Sequence, residues 1–199
     1  MDAITLLRND HKAVKGLFTR FEKLGDRAHK QKRAIVDRII EELSIHAAIE
    51  EQLFYPAVRE CAPDALDHVL ESLEEHHIVK WVLSELDGMA PDAERFDAKV
   101  TVLKENVLHH AEEEEQDMFP KVREAMGRKA LQELGAAMAR AKATAPTRPH
   151  PRAPDTPPGN LVAGAVAGLT DQARKAGKDA VSRATGKART ASRLRRKAS

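Results

Sequence analysis

The sequence predicts an all-α protein, an antiparallel up-down four-helix bundle with a short fifth helix and a flexible basic C-terminal tail. Aromatic residues make up only 4% of the 199 residues and charged residues 32%, and the abundance of Ala, Leu, Glu, Lys and Arg favours helices over sheets. Apolar residues recur at helical spacing through residues 1–145, without convincing strand alternation. Short connections between these stripes predict that successive helices run antiparallel.

Capping and turn residues divide the chain into five predicted helices. Asp2 is a candidate N-cap for the first helix, and Gly25 with Asp26 is a stop signal after it. Gly127 separates the fourth helix from a shorter fifth, and Pro56 is expected to kink the end of the second. The predicted helices span residues 2–24, 29–60, 64–86, 92–125 and about 128–143.

One motif occurs twice, as HAAIEEQLFYP at residues 46–56 and as HAEEEEQDMFP at residues 110–120. The four-residue step places His46 with Glu50, and His110 with Glu114, on one face of a helix. The flanking apolar stripes predict that both pairs point into the core. Burying an ionised Glu costs on the order of several kcal/mol unless a positive charge compensates it. A bound cation would supply that charge, so the pairs predict a metal site.

The motif belongs to a duplication of the whole bundle. His11 and His76 take core positions on the first and third helices, at nearly the same interval as His46 and His110. The expected turns fall midway between these positions, so the register places six metal-ligand candidates at one level: His11, His46, Glu50, His76, His110 and Glu114. Imidazole and carboxylate without thiolate suit iron, manganese or zinc, and two such sets suggest two metals. Cys61, the only cysteine, excludes an intrachain disulfide.

These residues and their spacing resemble the hemerythrin-like, or HHE cation-binding, domain over residues 1–145. The resemblance implies two iron ions in an oxo- or hydroxo-bridged di-iron centre, with Glu50 and Glu114 as bridges and zinc or manganese less favoured. It also implies a protein that binds, senses or reacts with dioxygen, peroxide or nitric oxide. Oxygen carriers of the family have an H-x-x-x-H pair where this chain has Ser72 and Lys80 around His76, which disfavours simple oxygen carriage. Adjacent His77 is a candidate extra ligand.

Other interpretations remain open at this stage. The bundle can be an iron storage or delivery module without turnover, or a structural bundle with a zinc or empty site. Enzymatic activity is left undecided, because no general acid, general base or nucleophile can be assigned. Glu51 and Glu115 are either outer partners of the ligands or solvated, and Tyr55 is expected to be core or pocket wall.

The chain changes character after residue 145. Residues 146–159 form a Pro-rich linker that we expect to be extended, and residues 160–199 a basic Ala-rich tail, weakly helical or disordered. Residues 146–199 carry 12 Lys and Arg but 3 Asp and Glu, which predicts electrostatic contact with a membrane surface or nucleic acid. Gly164-x-x-x-Gly168 is typical of close helix packing. Without a signal-peptide pattern or a spanning segment, we expect a cytoplasmic protein.

Overall fold

The structure, a computed structural model, describes residues 1–160, 163, 164, 167, 168, 170 and 171. This part of the chain contains no strand, and its long helices form the predicted all-α bundle. Two π-helical turns, Glu50–Phe54 and Glu114–Met118, continue α2 into α3 and α5 into α6. The helices are α1 (Ala3–Glu22), α2 (His29–Ile49), α3 (Tyr55–Cys61), α4 (Leu66–Leu86), α5 (Phe96–Glu113) and α6 (Phe119–Ala141).

Local signals explain where most helices begin and end. The Asp2 side chain accepts a 2.8 Å hydrogen bond from the Thr5 N–H, which confirms it as the N-cap of α1. Gly127 adopts φ 66° inside α6 and marks the predicted break there. The fourth predicted helix begins at Phe96 rather than at residue 92, because two successive turns, from Ala90 to Ala93 and from Ala93 to Phe96, precede it.

The π-helical turns replace the expected proline kink. The N–H of Tyr55 bonds the carbonyl of Glu50, five residues back, and the N–H of Phe119 bonds that of Glu114 in the same way. Pro56 and Pro120 follow at the second position of the next helix, where the lack of an N–H is tolerated. Such turns are rare in proteins, and those that occur are often found at functional sites. The two turns begin at Glu50 and Glu114, the metal-ligand candidates of the repeated motif.

Two buried apolar clusters lie on either side of the level of the motifs. One joins the start of α1 to α3 and the start of α6, and the other joins the rest of α1 to α2, α4 and α5. Both consist of side chains with little or no exposure to solvent, such as Phe54 and Phe119 in the first and Phe18 and Phe96 in the second. The level between them is therefore enclosed by apolar packing along the bundle axis.

The Pro-rich segment lies in turns against the bundle, although the sequence predicts an extended linker. Asn160 is 4% exposed and Asp171 is 3% exposed. The Asp171 carboxylate accepts 3.0 Å hydrogen bonds from the N–H groups of Thr147 and Arg148, which closes the segment on itself. Buried polar groups of this kind require partners. Asp171 finds them within the segment, whereas Asn160 donates to the Glu51 carbonyl of the bundle. The boundaries at residues 145 and 159 stay predictions.

The basic end of the predicted tail, residues 172–199, lies outside the described residues. Its contact with a membrane surface or nucleic acid stays a prediction. Among the helices that the structure describes, none combines the length and the apolar character needed to cross a bilayer.

Candidate metal centre

The six predicted ligands meet at one level of the bundle in two overlapping sets. Glu50 belongs to both. The first set is His11, His46, Glu50 and Glu114, and the second is Glu50, His76 and His110; within each set one ligand atom per residue lies within 4.8 Å of the others. The side chains are almost completely shielded, from 0% exposed for Glu50 to 8% for His11.

Each carboxylate joins a histidine of its own helix to a histidine of the other half of the duplication. Glu50 Oε2 lies 3.1 Å from His46 Nε2 and 3.3 Å from His76 Nε2. Glu114 Oε2 lies 3.3 Å from His11 Nε2 and 3.8 Å from His110 Nε2. The i, i+4 step produces the contacts within a helix, and the face-to-face packing of the two helical hairpins produces the others.

The centre contains buried polar atoms that no described protein group satisfies. Both carboxylate oxygens of Glu50, Oε2 of Glu114 and Nε2 of His11 lack a hydrogen-bond partner among the described residues. Each such atom costs about 1–3 kcal/mol. Their lone pairs converge with the Nε2 atoms of His76 and His110, which lie 3.2 Å apart. A cation bound here would use these lone pairs, and the donor set of imidazole and carboxylate fits iron, manganese or zinc.

Electrostatics differ between the two carboxylates. Burial, followed by the charge of Glu114, raises the pKa of Glu50 well above its usual value. Burial also acts to raise the pKa of Glu114, but the electrostatic interactions with His110, His11 and His46 outweigh it and hold that pKa well below the usual range. Burial lowers the pKa of His46 to about 4. Two carboxylates confined together cannot both ionise freely without added positive charge.

A carboxylate faces the outer nitrogen, Nδ1, of every one of the four histidines. Three of these contacts are hydrogen bonds, at 2.9 Å between Glu115 and His11, 3.0 Å between Glu51 and His76 and 2.7 Å between Glu75 and His110. Asp10 lies 3.5 Å from Nδ1 of His46 without forming a hydrogen bond to it. A carboxylate at Nδ1 fixes the ring orientation and leaves Nε2 free to bind a metal. Lys142 and Lys80 in turn pair with Asp10 and Glu51.

This outer set adds two residues that the sequence analysis missed. Glu51 and Glu115 each contact one of the four histidines, Glu51 at a buried site and Glu115 with a side chain that is 36% exposed. Asp10 and Glu75 were not considered, although each stands immediately before a ligand histidine in the duplicated pattern. The duplication itself was therefore the signal that could have identified them.

Tyr55 is a third residue whose role the sequence analysis missed, because its hydroxyl group lies at the centre. It donates a 3.0 Å hydrogen bond to Glu114 Oε1 and lies 3.3 Å from His76 Nε2. Burial, then the charges of Glu114 and Glu50, raise the pKa of Tyr55 well above its usual value, so it stays a phenol. The equivalent residue of the second motif is Phe119, which stacks on His11. The Tyr55 hydroxyl group thus has no counterpart in the second motif.

The structure does not bring His77 to the centre. Its side chain is on the exposed face of α4, where Nε2 accepts a 3.1 Å hydrogen bond from the indole N–H of Trp81. Ser72, one turn before His76, is 4% exposed and interacts with the Tyr55 hydroxyl. Ser72 is thus one of the two positions, four residues from His76, at which an H-x-x-x-H pair would place a further histidine.

A small cavity of about 30 Å³ adjoins the centre. Its walls combine the four imidazole rings with apolar side chains from α1, α2, α4 and α5. The lining includes His11, His46, His76, His110, Val14, Leu43, Val79 and Val107.

Comparison with known proteins agrees with this arrangement. The sequence model of the family described as hemerythrin HHE cation binding domain matches residues 2–122. An uncharacterized hemerythrin-like protein of Schizosaccharomyces pombe is 28% identical over 139 residues, which is 69% of this chain and 68% of that protein. A DNA nickase of Nostoc is 28% identical over 62% of this chain, and the match covers only 34% of the nickase.

A solved structure is also similar. It is the crystal structure of a hemerythrin HHE cation binding domain-containing protein from Mycobacterium kansasii, with a TM-score of 0.62 and 28% identity. The match covers 72% of this chain and 86% of that chain.

Proposed function

Because this chain belongs to the hemerythrin HHE cation-binding domain family, we propose that it is a non-haem di-iron protein that binds, senses or reacts with dioxygen, peroxide or nitric oxide. The observation that carries the proposal is the pair of overlapping ligand sets that share Glu50 beside a small closed cavity. Two sets at one level call for two cations. When bound, the iron pair supplies the electrons for redox chemistry.

The dimensions of the cavity support a small ligand. One water molecule requires at least about 10–15 Å³, so a cavity of about 30 Å³ has room for a molecule of two or three heavy atoms. Val14, Leu43, Val79 and Val107 make one wall apolar, which suits a neutral diatomic molecule or peroxide better than a charged metabolite.

The surrounding residues have distinct tasks in this proposal. The outer carboxylates orient the imidazole rings. They also favour the tautomer that carries its proton on Nδ1, which leaves Nε2 free to bind a metal. Tyr55 holds a proton on its hydroxyl group, 3.0 Å from Glu114 Oε1, where it can stabilise charge that develops at the centre. The two buried apolar clusters restrict the entry of bulk water.

Rapid mixing of the ferrous protein with dioxygen, hydrogen peroxide or nitric oxide tests this function. We expect at least one of them to react much faster with the loaded protein than with free ferrous iron, and the protein to keep its iron through repeated reduction and reaction. Release of iron without turnover would instead identify a storage or delivery module. A reaction no faster than that of free iron would contradict the proposal.

A cavity-filling variant gives this test a matched control. Val107, 8% exposed, lines the cavity, whereas Val102 on the same helix is 49% exposed. Val107→Phe should slow the reaction and leave the iron content unchanged, at a stability cost of about 1–3 kcal/mol. Val102→Phe should change neither.

A further inference from the structure

The π-helical turn of the first motif leaves one backbone carbonyl without a partner in its own helix. Tyr55, four residues after Glu51, gives its N–H to the carbonyl of Glu50. Pro56, five residues after Glu51, has no N–H to give. The carbonyl of Glu51 is thus orphaned by the motif itself. The carbonyl of Glu115 is orphaned in the same way. The N–H of Phe119 bonds the carbonyl of Glu114, and Pro120, the next residue, has no N–H.

Each orphaned carbonyl takes its donor from a distant part of the chain. Arg8 of α1 donates from Nη2 to the Glu115 carbonyl at 3.3 Å, at an exposed site. Asn160 donates from Nδ2 to the Glu51 carbonyl at 2.9 Å, at a buried site. Only the second bond is shielded from water, so only there would a lost donor leave the carbonyl without a replacement.

The segment that carries Asn160 is fitted to the bundle at several points. The backbone carbonyl of Asn160 accepts a 3.3 Å hydrogen bond from Gln52 Nε2. A Cβ on Gly164 would lie 2.3 Å from Gln52 Nε2, and one on Gly168 would lie 2.2 Å from the Thr144 carbonyl oxygen. The Gly164-x-x-x-Gly168 pattern therefore permits close approach to the protein's own bundle. We call the described residues from 146 to 171 the strap.

We propose that Asn160 is a positioning residue for the metal centre and that the strap holds the His76 side of the centre in place. The proposal rests on the metal binding proposed above. By fixing the Glu51 backbone, Asn160 fixes the Glu51 carboxylate, which is 3.0 Å from His76 Nδ1 and 2.7 Å from Lys80 Nζ. His76 then presents Nε2 to the centre.

Burial explains why this connection affects the metal. Glu51 is 4% exposed, and its carboxylate accepts a 2.7 Å hydrogen bond from Lys80 Nζ and lies 3.0 Å from His76 Nδ1. Pro146, Pro149, Ala153 and Asn160 of the strap line a small pocket of about 50 Å³ together with Glu51 and Lys80, which narrows the access of water to this group. Without the strap, water would reach Glu51 and Lys80 and compete for the bond that orients His76. The strap lies beyond residues 2–122, where the family match ends.

Cobalt(II) provides a test that does not depend on activity, because its visible spectrum reports the ligands and its release to a chelator can be timed. The protein would be compared with Asn160→Ala, which removes the donor, and with Gly168→Ala, which drives a Cβ into the backbone carbonyl of Thr144 and so pushes the strap away from the bundle. Gly16→Ala is the control, since nothing lies within 4 Å of a Cβ there.

We expect Asn160→Ala and Gly168→Ala to release cobalt about 10-fold faster or more, as loss of an outer partner typically weakens metal binding by ~10–100-fold, and to alter the visible bands. Gly16→Ala should match the wild type. Release at the wild-type rate with unchanged bands in both strap variants would overturn the inference, even if their metal-free forms melt lower. Failure of the wild type to bind cobalt would overturn the proposed function instead.

Discussion

Replacing Glu50 by Gln should stabilise the metal-free protein and remove most of the stabilisation that metal provides. Glu50 is 0% exposed, and neither of its carboxylate oxygens has a hydrogen-bond partner in the described part of the chain. An unsatisfied buried group costs about 1–3 kcal/mol. A neutral amide that donates to Glu114 should recover about that amount.

The expected shift in melting temperature follows from the size of the chain. At ~2–4 °C per kcal/mol, the metal-free Glu50→Gln variant should melt roughly 2–12 °C above the wild type. Metal at about 100 times its Kd should stabilise the wild type by about 2.7 kcal/mol. The variant, which lacks an oxygen ligand common to both sets, should gain far less.

Thermal unfolding followed by circular dichroism, with and without divalent metal, measures both effects. Glu112→Gln is the control, because Glu112 is exposed and lies outside the two ligand sets. The reasoning would be refuted if the metal-free Glu50→Gln variant melted below the wild type and metal raised its melting temperature as much as it raises that of the wild type.

Three further predictions concern the surroundings of the centre. Glu51→Gln should weaken metal binding by ~10–100-fold in a competitive titration, because Glu51 bonds His76 at 3.0 Å; affinity equal to that of Glu112→Gln would contradict this. Tyr55→Phe leaves the buried Glu114 Oε1 without its donor and should lower the free energy of unfolding by about 1–3 kcal/mol in urea; unchanged stability would count against the observed bond. Burial lowers the pKa of His46 from 6.5 to about 4, so the unfolded state binds the proton first as the pH falls. The free energy of unfolding of the metal-free protein should therefore decrease by up to about 3 kcal/mol between pH 6.5 and pH 4. A His46→Gln variant with the same pH dependence would show that His46 is not responsible.

The ligand set was predictable because its spacing is a local property of helices. The four-residue step from His46 to Glu50 fixes a common face wherever the chain is helical, and the duplication extends the same argument to His110 and Glu114. The cap at Asp2 and the break at Gly127 are equally local, since each depends on the chemistry of a single residue. Four helices with short connections then limit the bundle to few arrangements.

The outer shell was less accessible to this reasoning because it depends on contacts between helices. Glu51 follows Glu50, so its side chain points about 100° away around the helix, at the border between core and solvent by periodicity alone. Only the position of α4 brings His76 within 3.0 Å of it. Tyr55 was predicted to be apolar wall because periodicity describes the ring and not the direction of its hydroxyl group.

The strap shows a further limit of composition. Frequent Pro in residues 146–159 is typical of an extended linker, but proline is also found in tight turns. Whether Gly164 and Gly168 pack closely depends on a complementary surface, here Gln52 and Thr144 on the bundle. The fit of the two surfaces is a tertiary property that the local pattern does not contain.

The most direct test of the central claim is the metal content of the protein after anaerobic reconstitution with ferrous iron. The account predicts about two irons per chain, and near-ultraviolet absorption of a ferric pair after exposure to air. His110→Ala should lose iron, whereas His109→Ala should keep it, because the neighbouring His109 is exposed and lies outside both sets. One zinc per chain without that absorption, or equal iron in the wild type and His110→Ala, would contradict the account.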